Sequence, residues 1–220
     1  MSIKEHVTQE VKKIAVEGKA VDDKVIAFVK SDFHQTLADC EKTGHSIKQA
    51  TQDTLEGVQT GLKAAGHKTE DIVSKSADGI VDVTRDITTQ SLDAVRSYAD
   101  DAKALLNKAV EKSFDTMDKV EAKTKAKMEK AHDDLQERTI AEKQRLAEIS
   151  EGIIEHAESK THEMNNATRS ALHKSAKRSK TYLNALVDAS EKHSKALLHH
   201  SHAKVSDWLG KLNDKVHHKA

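Results

Sequence analysis

Every eleventh residue from Val29 to Met128 falls in one column: Val29, Cys40, Thr51, Leu62, Val73, Thr84, Val95, Leu106, Met117 and Met128, all apolar except the two threonines. Eleven residues make three helical turns at about 3.67 residues per turn, so the column runs nearly straight along a helix. Columns four and seven positions further on carry Leu55, Ala77, Ala99 and Val110, and Ile47, Val58, Ile80 and Ala102, which widen it into one apolar stripe. Nine positions on, Asp71, Asp82, Asp93 and Asp115 mark the wet side. Before Val29 the rhythm is heptad, through Val7, Val11, Ile14, Gly18, Val21, Val25 and Phe28, and predicts a coiled-coil-like helix with a glycine in its seam.

No proline interrupts the 220 residues. With that spacing, the expected fold is all-α: a few long amphipathic helices in an elongated hairpin or bundle. Aromatics at 3% and charged residues at 33% leave little apolar surface to offset chain entropy, so partial disorder of the isolated chain is an open alternative. The stretch LEGVQTGLKAAG tests continuity. Thr51, Leu62 and Val73 keep phase across it, which reads as unbroken or gently interrupted helix, with Gly57 and Gly79 on the polar face and Gly44 and Gly66 in the stripe. A competing reading makes Gly66 a helix C′ residue and Thr69 an N-cap, with a turn over 66–69.

Three segments follow from composition. Residues 1–117 form the amphipathic region. Residues 118–148 form a highly charged, solvated rod with only Val120, Met128, Leu135, Ile140 and Leu146 as large apolar anchors. Residues 149–220 resume a diluted stripe in a basic, histidine-rich region, where Trp208 shares a helix face with Val205, Leu209, Leu212 and Val216. MNNATRS, Met164 to Ser170, is the best turn candidate, with the sharpest reversal expected at Asn165 and Asn166.

Lys plus Arg and Asp plus Glu balance at 36 each, so no global field draws the chain to nucleic acid. Residues 151–220 nevertheless hold twelve Lys/Arg, eight Asp/Glu and nine histidines, and attachment of this part to an anionic surface is expected to strengthen as pH falls through about 6.5. Arg169, Lys174, Lys177, Arg178 and Lys180, with no acid among them, outline a basic helix face for anionic lipid or an acidic partner; stacking aromatics for single-stranded nucleic acid are missing. No window is apolar enough to span a membrane, and the N-terminus lacks a signal-type apolar segment, so a cytoplasmic location, peripheral on a surface, is expected.

Chemistry has little support. The chain has no nucleophile elbow, phosphate loop or H-E-x-x-H, and its single cysteine, Cys40, falls in the apolar column, so no enzyme and no cofactor are expected. His193, His199, His200 and His202 offer weak, non-stoichiometric metal binding at most, because two ligands on one helix face do not close a tetrahedral site. His34, His45 and His67 share a column, but successive sites of that column stand about 16 Å apart at 1.5 Å per residue.

The pattern in LEGVQTGLKAAGHKTEDIVSKSADGIVDVTRD, proline-free, glycine-punctuated and amphipathic with threonine in the stripe, resembles bacterial phasins, perilipins and apolipoproteins over roughly residues 29–128, and is related to group 3 late embryogenesis abundant repeats. The resemblance implies a coat on a hydrophobic storage inclusion, such as a polyhydroxyalkanoate granule, or on an anionic membrane. Val58, Leu62, Val73, Ile80, Val95, Leu106, Val110, Met117 and Trp208 would then supply the binding stripe, each segment adsorbing weakly and many summing to tight attachment. The alternatives are a stress-protective or scaffolding coiled coil, self-associating through the same stripe, and a histidine-rich metal binder.

Overall fold

Three glycines in the left-handed region, Gly18, Gly44 and Gly66 at φ +72°, +71° and +76°, divide the first seventy residues. The computed structural model describes residues 1–112, 117–160, 162–189 and Lys192. Among them lie six helices and no strand: α1 (Ile3–Val16), α2 (Val21–Thr43), α3 (Ile47–Ala64), α4 (Glu70–Lys112), α5 (Met117–Ser159) and α6 (166–189). The all-α expectation holds.

Continuity through the glycines does not. After α3 the N–H of His67 donates to the Leu62 carbonyl and that of Gly66 to the Lys63 carbonyl, both at 3.0 Å, the paired bonds that close a helix on a left-handed residue. The Thr69 carbonyl then accepts the Val73 N–H at 2.9 Å and α4 begins, so 66–69 is a turn. The eleven-residue phase survives because Leu62 and Val73 enter one core from two different helices. At Gly44 the N–H donates to the Cys40 carbonyl and ends α2. Gly18 likewise splits the heptad segment, and its two halves lie antiparallel, tied by Lys24 to Glu17 at 2.6 Å and His6 to Asp32 at 3.0 Å. Local capping agrees with these boundaries: Ser2 and Glu5 form a reciprocal box on α1, Ser46 caps α3, and Asn165 Oδ1 accepts the Thr168 N–H at 2.8 Å to start α6.

The helices pack as two compact units, Met1–Thr88 with Glu142–Asn184, and Thr89–Ala141 with the chain from Ala185 onward. This division cuts across the three linear segments because α4 and α5 each supply residues to both units. In the first unit α3 is the central helix. It runs parallel to α1, pairing Lys4 with Glu56, and parallel to the second half of α5, pairing Lys48 and Gln52 with Glu155. Helix α6 lies antiparallel to α5, where Ser150 Oγ and Ser179 Oγ donate across to the carbonyls of Ala176 and Leu146. In the second unit, among its described residues, Leu92 and Leu135 are buried together with Leu186 against them, and Arg138 reaches Ser91.

One expectation about exposure is corrected. Gly57 and Gly79 are buried rather than on a polar face, because α3 and α4 are covered on more than one side. A Cβ on Gly57 would meet Val7 at 2.7 Å; on Gly61, the Thr8 carbonyl at 2.8 Å; and on Gly152, the Lys48 carbonyl at 2.6 Å. These glycines let the backbones of α1, α3 and α5 approach. Of the anchors expected in 118–148, Leu135 and Leu146 are buried and Ile140 is exposed, while the side chains of Val120 and Met128 lie outside the described residues; Glu142 is buried as well.

Threonine in the stripe has a direct explanation. Thr51, Thr54 and Thr84 are fully buried, and each Oγ1 donates at 2.8 Å to the carbonyl four residues back, of Ile47, Ala50 and Ile80. The hydroxyl is satisfied within its own helix, so the side chain is accepted in the core.

Two glycine substitutions separate space from propensity. Gly152→Ala gains helix propensity of about 1 kcal/mol but drives a Cβ into a backbone carbonyl, and chemical denaturation should show a net loss of about 1–2 kcal/mol. At Gly79 the nearest atoms are the flexible Lys30 stem at 3.2 Å, so Gly79→Ala should be neutral or stabilise by up to about 1 kcal/mol.

Candidate functional site

Two surfaces were expected to bind, the apolar stripe and the basic face. Val58, Leu62, Val73 and Ile80 are all at most 1% exposed and belong to the core of the first unit, with Val7, Val25, Leu55 and Ile153. In this conformation the stripe is closed on itself and presents no external surface there. The side chains of Val95, Leu106, Val110 and Met117, together with Trp208, lie outside the described residues.

The core they join also holds polar groups. Gln59, Ser76 and His156 are buried, and both amide atoms of Gln59, the Ser76 hydroxyl and His156 Nε2 have no hydrogen-bond partner among the described residues. Each such group costs about 1–3 kcal/mol. Glu142, also buried, accepts from Thr88 Oγ1 and from Arg145, both at 2.6 Å, and Arg145 continues to Glu41. Nothing in the apolar periodicity marks these positions, since a buried glutamine or histidine reads in sequence like a solvated one.

His156 sits beneath a rim of ion pairs that joins α1, α3 and the end of α5. Glu56 meets Lys4 and Lys160, each at 3.0 Å; Lys160 also faces Glu163, which pairs with Lys63. Burial opposes ionisation of Glu56, but Lys160 and Lys4 outweigh it and hold the carboxyl below its usual value. Burial pushes the His156 imidazole down to about 4, against the pull of Glu56 and with the help of Lys160. One of the nine histidines expected to charge near pH 6.5 therefore stays neutral until far stronger acid.

Four of the five basic residues, Lys174, Lys177, Arg178 and Lys180, are exposed. Arg178 pairs at the surface with Asp78 at 2.7 Å and Asp82 at 3.2 Å, and with Arg85 it donates to the Tyr182 hydroxyl; these two hydrogen bonds hold the phenol below its ordinary range. Arg169 is half-buried. Lys174, Lys177 and Lys180 are exposed, and none has an ion pair among the described residues.

For metal, no group of three or more His, Cys, Asp or Glu side chains is placed to hold an ion among the described residues; His193, His199, His200 and His202 lie outside them. The column His34, His45 and His67 is broken by the Gly44 turn, and His67 instead meets the Ala15 carbonyl at 3.1 Å. Cys40 is buried, and that burial, with Asp39 and Glu148, pushes its thiol up. No described helix is long and apolar enough to cross a membrane. The chain matches no protein-family model, no curated protein and no solved structure.

Acid should probe His156 directly. Because its folded pKa is about 4 against 6.5 unfolded, protonation favours the unfolded chain, so stability falls from pH 6.5 and levels off near pH 4. Urea unfolding should lose about 2 kcal/mol between pH 7 and 5. His156→Gln should flatten that window, while the lowered carboxylates, Glu56 and Glu163 among them, act only below 4.5.

Proposed function

We propose that this chain is a non-enzymatic amphipathic-helix protein that attaches to a hydrophobic or anionic surface, such as a storage granule or the face of a membrane, by opening its first unit and turning the stripe outward. The observation that carries this reading is the composition of the closed core. Val58, Leu62, Val73 and Ile80 share it with Gln59, Ser76 and His156, whose buried polar atoms have no partner among the described residues, and with glycine seams. Net stability of a domain is only about 5–15 kcal/mol, and orphaned polar groups at about 1–3 kcal/mol each remove a large share of it. On an apolar surface the same valines and leucines stay out of water, while Gln59 and His156 regain water on the far side of their helices. Exchange of one apolar contact for another then costs little, and many weak segments add to a firm attachment. A peripheral, cytoplasmic location follows from this reading.

One specific observation favours a second reading. Among the described residues, the stripe side chains Val58, Leu62, Val73 and Ile80 are covered by the chain's own helices, as a self-packed scaffold or stress-protective bundle would require.

Spin labels decide between the two. In a Cys40→Ser background, Gln49→Cys on α3 and Glu151→Cys on α5 place labels at exposed sites of helices that pack together. On neutral phospholipid-coated oil droplets the label separation should grow by at least about 10 Å, one helix diameter. A protein that fails to adsorb, or adsorbs with the separation unchanged, would leave the scaffold reading.

A further inference from the structure

We propose that the outer face of α6, formed by His173, Lys174, Lys177 and Lys180, docks the closed bundle on a layer of anionic lipid headgroups before any opening occurs. The proposal takes its class of partner from the surface-attachment reading above and assigns the first contact to particular residues.

The argument begins with where the charges of α6 go. From 166 to 187 the helix carries five Lys/Arg and no acid, in a chain whose charges balance overall. Tertiary packing neutralises the exposed Arg178 by pairing it with Asp78 and Asp82. Elsewhere in this unit, lysines at helix contacts are neutralised: Lys4, Lys30, Lys48, Lys63, Lys75 and Lys160 each meet a carboxylate from another part of the chain. Lys174, Lys177 and Lys180 have no such partner among the described residues.

Their placement is directional. At 100° per residue, His173, Lys177 and Lys180 lie within about 60° of one another, with Lys174 beside Lys177. The buried face of the same helix, through Leu172, Ser175, Ala176 and Ser179, points roughly the opposite way. Between the lysines stand Asn166, Ser170, Thr181 and Asn184, all exposed and all hydrogen-bond donors. The strip from 166 to 184 is about 27 Å long and straight, a shape that meets several headgroups of a flat layer at once. It carries no large apolar side chain and so rests on headgroups without inserting; the nearest aromatic, Tyr182, is engaged by Arg85 and Arg178, which removes it from base stacking. Charge and shape together favour a lipid layer over a nucleic acid.

The test uses the full chain with vesicles of phosphatidylcholine alone or mixed with phosphatidylserine. Binding is expected only to the mixed vesicles and should weaken with salt, with the Gln49 and Glu151 spin-label separation unchanged on them. K174E/K177E/K180E should reduce affinity about a hundredfold or more, since each lysine near such a surface contributes about 1 kcal/mol. K12E/K19E/K68E, with the same change in net charge at exposed lysines elsewhere, should bind like the wild type; both variants are expected to keep the wild-type melting temperature. Equal losses in the two variants, an undiminished K174E/K177E/K180E, or capture of duplex DNA in preference to the mixed vesicles at equal salt would each overturn the proposal. Neutral oil droplets separate the two readings: a protein that binds anionic vesicles through α6 and ignores the droplets retains the docking face and loses the opening mechanism. Adsorption to droplets with no binding to anionic vesicles does the reverse.

Discussion

The closeness of α3 to α1 on one side and to α5 on the other governs the first unit. Gly57 and Gly61 admit the α1 backbone, and Gly152 admits that of α3, at distances where even a methyl group would meet a carbonyl or a valine. Backbones this near exclude water without large side chains, which is how a chain with 3% aromatics closes a core at all. The arrangement also sets the topology. Helices α1 and α3 are parallel, so α2 must return the chain between them, and the turns at Gly18 and Gly44 make that return short.

A core built this way carries its polar groups in two states. The buried threonines are satisfied within their own helices, and Ser150 and Ser179 bond across to α6, so these groups hold the helices in register. Gln59, Ser76 and His156 have atoms with no partner among the described residues and work against closure. The difference gives a physical basis for a bundle that is well formed yet inexpensive to open, with the ion-pair rim of Lys4, Glu56, Lys160, Glu163 and Lys63 holding the ends of α3 and α5 together. The proposed opening and docking draw on different residues: the described stripe residues Val58, Leu62, Val73 and Ile80 lie inside, and Lys174, Lys177 and Lys180, without an ion pair among the described residues, lie outside.

Much of the fold is legible in the sequence. The absence of proline and the eleven-residue column give helices, and the stripe residues that fall among the described side chains are the residues that become the core. The turn near Asn165 is marked by its cap chemistry. What misleads is the phase at Gly66. A constant spacing is produced equally by one straight helix and by two helices that face the same core, and only the capping residues Gly66 and Thr69 distinguish them. The basic face is half legible: the charges of α6 are in plain view, but the pairing of Arg178 depends on Asp78 and Asp82, about a hundred residues away in the chain.

Sequence alone determined that the chain is helical, which residues avoid water and where charge accumulates, because helix period, hydropathy and charge are properties of neighbours along the chain. Tertiary structure decided which surface the stripe meets. Val58, Leu62, Val73 and Ile80 pack against the chain's own helices, Gly57 and Gly79 become interior, and His156 loses its ordinary basicity. Each outcome depends on which distant segment arrives to exclude solvent, and an amphipathic period is the same whether the apolar partner is another helix of the protein or an external surface.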